Sequence, residues 1–146
     1  MMNRRTLIAA LSASVALPAF AMEPENYIVN GYALSGYDAV AYFTLSDAVV
    51  GNDAHQSEYN GATYRFSSAE HKTMFDANPE KYAPKYGGYC AYAVSRGYTA
   101  SADPEAWTVH EGRLYVNFSK SVRAIWTTRR AKNIEAADAN WPAVLG

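Results

Sequence analysis

Few residues in this chain could do chemistry. Its 146 positions hold one cysteine and three histidines. Cys90, His71, Asp38 and His55 are the residues whose types and positions could converge on a metal ion. A thiolate, an imidazole and a carboxylate with one place left open suit zinc, copper or iron. Bound metal would also lower the thiol pKa and protect the sulfur from oxidation. Cys90 and His71 lead this ligand set, Asp38 is third, and His55 would join from a strand edge. The same residues fit a plainer reading: a core histidine with its hydrogen bonds met, a buried inert cysteine and an aspartate capping a turn. Spacing alone leaves both open.

Other chemistries find less support. Cys90 with His71 could pair a nucleophile with a base, but no orienting third group or oxyanion hole is evident, so a non-catalytic role is expected. A single cysteine excludes an internal disulfide framework, a C-x-x-C redox pair and a four-thiolate zinc site. Gly87-Gly88 lacks the lysine, the Ser/Thr and the longer spacing of a phosphate-binding loop. A formal charge of −1 leaves no electrostatic footprint for nucleic acid.

Local patterns predict the elements that must position these residues. Glu58 to Phe66 reads as a β-hairpin, because Asn60-Gly61 supplies two residues tolerant of positive φ between aromatic and β-branched flanks. Ser67, with Glu70 three residues later, predicts a capping box and a helix start. Asn78-Pro79 ends that helix, and Pro79 opens a second short one. Residues 27–43 read as one or two short strands with a turn, and 89–94 as buried, strand or helix undecided. Asp103-Pro104-Glu105 is read as a turn. Residues 107–110 and 113–118 form a second hairpin around Glu111-Gly112. Ser119 caps a final helix over about 120–139, with Trp126 and Ile134 on its apolar stripe. The fold class is therefore a small α+β single domain: two β-hairpins, short helices after the first, and a longer C-terminal helix. Composition agrees, since 49% hydrophobic against 18% charged residues excludes a disordered chain. Twelve tyrosines give a core that keeps hydroxyls for hydrogen bonding.

Residues 1–21 read as a leader. Arg4 and Arg5 precede an apolar run over 6–17, and Ala19-Phe20-Ala21 fits an A-x-A cleavage site. The run is short of the roughly 20 residues a membrane span needs. Asn3-Arg4-Arg5-Thr6-Leu7-Ile8 also resembles a twin-arginine signal, so Sec and twin-arginine export both fit. The expectation is a monomeric, exported, periplasmic domain over 22–146, without a membrane span once the leader is cleaved. Eleven basic and fourteen acidic residues remain in it, a formal charge of −3.

The stretch from His55 to Tyr82 resembles the YHS domain family. Ser57-Glu58-Tyr59-Asn60-Gly61-Ala62-Thr63-Tyr64-Arg65-Phe66-Ser67-Ser68 carries the resemblance, followed by Phe75 and by Ala77-Asn78-Pro79-Glu80-Lys81-Tyr82. The wider pattern is similar to exported single-domain members, through residues 36–43, 86–91 and 138–142. The resemblance implies heavy-metal handling. The family's thiolate cluster is absent, however: Ala41 stands where one cysteine would fall, and Ser67 and His71 replace two others. What the resemblance implies is non-catalytic binding of copper or zinc, for buffering or delivery. The alternative is a metal-free module for a small ligand or a protein, using an aromatic pocket.

Overall fold

The computed structural model describes residues 22–146; the expected leader at 1–21 lies outside them. After the N-terminal strap come two very short strands, β1 (Ile28–Val29) and β2 (Tyr32–Ala33). A tight 3-10 turn over Leu34–Gly36 leads to α1 (Ala41–Thr44). The segment read as strand and turn is thus a strand pair followed by a helical turn. Asp38 sets the change, because its carboxylate accepts from the N–H groups of Val40 and Ala41 and holds the chain in a helical start.

The first hairpin joins β3 (Asn52–Tyr59) to β4 (Ala62–Phe66). Asn60 and Gly61 take φ 52° and 80°, the pair of left-handed residues that a tight hairpin turn needs. β2 adds to β4 in parallel at Tyr32–Thr63, giving one sheet in the order β1-β2-β4-β3. Then follow α2 (Ala69–Ala77), α3 (Pro79–Tyr82) and α4 (Ala91–Ser95), so the undecided 89–94 stretch is helical from Ala91. The cap of α2 is Ser68, whose hydroxyl accepts from the His71 N–H at 3.1 Å. It is not Ser67, which is occupied elsewhere.

The second hairpin pairs β5 (Asp103–His110) with β6 (Arg113–Asn117). The expected turn at Asp103–Glu105 is instead the start of β5, which bulges between Asp103 and Trp107 and so accommodates Pro104 without a ladder hydrogen bond. The expected long helix divides into α5 (Lys120–Thr128) and α6 (Arg130–Asn140). The break is Arg129 at φ −134°, ψ 49°, and the Asn133 amide donates across it to the Trp126 carbonyl at 2.9 Å. Ser119 caps α5 by accepting from Val122 N–H.

β6 organises the interior. Alternate strand residues point to opposite faces. Leu114 and Val116 enter a core with Val40, Tyr42, Tyr64, Phe66 and Phe75. Tyr115, between them, enters a second core with Tyr86, Tyr89, Val94, Trp126 and Ala137. One hairpin therefore serves as the shared wall of two apolar clusters. The N-terminal strap crosses the Tyr86-Gly87-Gly88 turn, where Tyr27 N–H donates to the Gly87 carbonyl at 2.9 Å. Gly87 is required there: its φ is 63°, and a Cβ would run into the Glu25 carbonyl. No helix among the described residues is long and apolar enough to cross a membrane.

Candidate functional site

Two buried polar centres stand out, one beside each core. In the first, the 3-10 turn places Asp38 behind α1, where it is 0% exposed. Its Oδ1 accepts from Val40 and Ala41 N–H at 2.9 and 3.1 Å. Its Oδ2 accepts from Ser67 N–H at 2.8 Å and Ser67 Oγ–H at 2.6 Å, and meets His71 Nδ1 at 2.7 Å. Five donors around one carboxylate tie α1, the end of β4 and α2 together. Because Oδ2 belongs to an acceptor, Nδ1 carries the hydrogen. The other ring nitrogen, Nε2, lies 3.0 Å from Thr44 Oγ1. Tyr42, one turn along the same segment, is also buried. Burial above all, aided by nearby carboxylates, pushes its phenol well above the ordinary value, and its O–H donates to the Pro104 carbonyl at 2.8 Å.

The second centre surrounds Cys90, a buried free cysteine at the start of α4. Phe118 N–H donates to its Sγ at 3.2 Å, and the thiol points at Asn117 Oδ1 at 3.5 Å. The same Oδ1 accepts from Tyr92 N–H at 2.9 Å. Asn117 is fully buried, yet its Nδ2 finds no partner, and neither does Trp126 Nε1 in the adjoining core. Outside this centre lies a half-open cavity of about 300 Å³, lined by Cys90, Tyr92, Tyr98, Ala100, Phe118 and Val122. Tyr98 and Phe118 are 53% and 54% exposed, so two large apolar side chains stand at the surface beside a recess.

The expected ligand set does not assemble. Asp38 and His71 meet, as the metal reading required. Cys90 instead turns to Asn117 and Phe118. His55 sits in the bulged stretch of β3, the outer strand of the four-stranded sheet. Among the described residues no group of three or more His, Cys, Asp or Glu could hold a metal ion. The physical reason is saturation as much as distance. Every lone pair that Asp38 directs inward already takes a hydrogen, and both nitrogens of His71 are engaged. The plainer reading, a satisfied histidine with a buried cysteine and a capping aspartate, describes these side chains better. His110 is half-buried, with Nδ1 3.4 Å from Arg130 Nη1. Sequence reasoning missed Thr44 and Asn117. Thr44 carries no motif, although its place three residues after Ala41 in the Asp38 segment was a usable signal. Asn117 looked like an ordinary residue at a strand end.

Residues 47–86 match the family model of the YHS domain. That span runs from the approach to β3 through α3 and includes His55 and His71, while Asp38 and Cys90 fall outside it. The family is linked to metal binding, which supports metal binding in general terms and no particular ion. No curated protein and no solved structure matches the chain.

Proposed function

We propose that this YHS-domain chain is an exported, periplasmic binding protein whose ligand is a small apolar or aromatic molecule seated in the recess beside Cys90. The observation that carries the reading is the recess itself: about 300 Å³, walled by Tyr92, Tyr98, Phe118 and Val122. That volume lies at the small end of ligand sites, which are mainly apolar concavities with a few polar groups. Exposed Tyr98 and Phe118 supply flat surfaces at low entropic cost. The test is fluorescence titration with N-phenylnaphthylamine. One saturable equivalent is expected, lost in Val122→Trp, which fills the recess. Absence of saturable binding, or binding unchanged in Val122→Trp, contradicts the reading.

Copper or zinc binding for buffering or delivery is the second reading, and the family match favours it. Its ligands would have to come from Cys90, His71, Asp38 and His55 after rearrangement, since Asp38 and His71 alone meet. Dialysis against zinc or copper decides it. Uptake of one equivalent that disappears in Cys90→Ser and in His71→Ala supports it; no uptake at micromolar metal removes it.

A further inference from the structure

We propose that Thr44, His71 and Asp38 form a nucleophile relay that accepts an acyl group from small activated esters. This goes beyond ligand binding at the recess and rests on different residues.

The geometry runs through three side chains. Asp38 Oδ2 lies 2.7 Å from His71 Nδ1, and His71 Nε2 lies 3.0 Å from Thr44 Oγ1. A hydroxyl bonded to an imidazole that a buried carboxylate orients is the arrangement that activates serine and threonine nucleophiles on unrelated folds. The proton positions follow from the neighbours. Asp38 Oδ2 also takes both hydrogens of Ser67, so His71 must present N–H at Nδ1. A neutral ring then has its lone pair at Nε2, facing the Thr44 hydroxyl. The competing acceptor for that hydroxyl is the Val40 carbonyl, at a longer 3.3 Å.

Access separates this relay from a purely structural one. Asp38 is fully buried, and only about a tenth of the His71 side chain is exposed, but Thr44 lies on the exposed end of α1. An incoming carbonyl would approach Oγ1 from the solvent side of α1, since Thr44 itself is exposed. Directly after Thr44, Leu45 is right-handed (φ −113°, ψ −6°) and Ser46 left-handed (φ 51°). The Leu45 N–H already donates to the Ala41 carbonyl at 2.8 Å, so the turn offers only the N–H groups of Ser46 and Asp47 to developing negative charge. Leu45 is 56% exposed and offers apolar contact for a short acyl chain.

The step balances. Thr44 Oγ1 bonds to the ester carbonyl carbon, and its proton passes to His71 Nε2. The bond from that carbon to the leaving oxygen breaks, and the phenolate of an activated ester departs with the electron pair. His71 then releases the proton to water, leaving Thr44 acylated. Asp38 acts as a positioning residue, since it touches no substrate.

The experiment treats the protein with p-nitrophenyl acetate, follows nitrophenolate release, and maps the acetyl group by peptide mass spectrometry. One acetyl on Thr44 is expected, absent in Thr44→Ala and retained in Thr44→Ser. In His71→Gln the rate should fall by about 100-fold or more, the usual worth of a placed general base. If His71→Gln fails to fold, the two Thr44 variants decide alone, because that side chain is exposed. Acetylation spread over lysines and serines, equal in wild type and Thr44→Ala, overturns the proposal.

Discussion

The Asp38 centre and the Cys90 centre lie on opposite faces of the β5–β6 hairpin, and they are built to different standards. Around Asp38 every polar atom has a partner, and five donors converge on one carboxylate. Around Cys90 the donors outnumber their acceptors: Asn117 Oδ1 serves both Tyr92 N–H and the thiol, while Asn117 Nδ2 has none. A satisfied buried network rigidifies, whereas an unsatisfied one costs stability that is kept where it serves something else. The residue types best suited to ligate metal were used as a clasp. The feature best suited to take a ligand, an apolar recess, was announced by no charged residue at all.

If this contrast is right, Asp38→Ala has the largest effect on stability. It strands the N–H groups of Val40, Ala41 and Ser67 and leaves His71 without its partner, and should cost about 3–5 kcal/mol, as breaking a buried pair does. Urea denaturation measures it; a loss below about 1 kcal/mol would make the clasp ornamental.

Alkali should strike both cores, since burial also raises Tyr86, Tyr89 and Tyr115 in the second. Tyr42 and Tyr64 are both held protonated by burial, with phenols well above the ordinary value near 10. A folded-state pKa raised above the unfolded one favours the neutral phenol. Its contribution is complete below about pH 10 and erodes as pH rises through that range. Each of these two tyrosines should remove about 1.4 kcal/mol per pH unit above it. Tyrosinate absorbance rising together with loss of circular dichroism checks this; ionisation of both in a still-folded chain would contradict it.

Asn117→Ala comes next, at about 1–3 kcal/mol, the cost of leaving the Tyr92 N–H unpaired. The loss is tempered because the variant also removes the orphaned Nδ2. Thermal melts beside Asp38→Ala rank the two centres, and an equal or larger loss in Asn117→Ala would reverse the comparison. The smallest effect belongs to the surface pair Lys72–Asp76 on α2, at 2.7 Å. Hydrogen bonds from Lys72 and then Ser57 hold the Asp76 carboxyl below the usual range. The pair therefore helps above the ordinary carboxylate pKa and fades as pH falls through the lowered one. Lys72→Met should change stability by less than about 0.5 kcal/mol at neutral pH, and a larger change would mean that α2 depends on its surface charges.

Local chemistry made much of this legible. Asn60-Gly61 and Glu111-Gly112 announce both hairpins because few other pairs tolerate two positive φ values. Ser119 and Pro79 mark helix starts for similarly local reasons. Where tertiary contacts decide, the reading slipped. Ser67 and Ser68 are equivalent as caps until Asp38, nearly thirty residues away, takes the Ser67 hydrogens. Arg129 breaks the last helix through a contact between Asn133 and the Trp126 carbonyl that no periodicity reveals. Asp38 and His71, two of the four expected ligands, do meet. Whether Cys90 joined them depended on which face of β6 it packed against, and that is a fact of topology. The recess could not be read in advance because it is made by side chains from α4, the loop after it and the start of α5.

The central claim is that ligand enters beside Cys90 while the Asp38 clasp stays closed. An amide ¹H–¹⁵N spectrum recorded during N-phenylnaphthylamine titration tests it most directly. The account predicts progressive shifts at Ala93, Tyr98, Ala100, Phe118 and Val122, with Val40, Ala41 and Ser67 unmoved. Shifts centred on Val40, Ala41 and Ser67, or none anywhere, would contradict it.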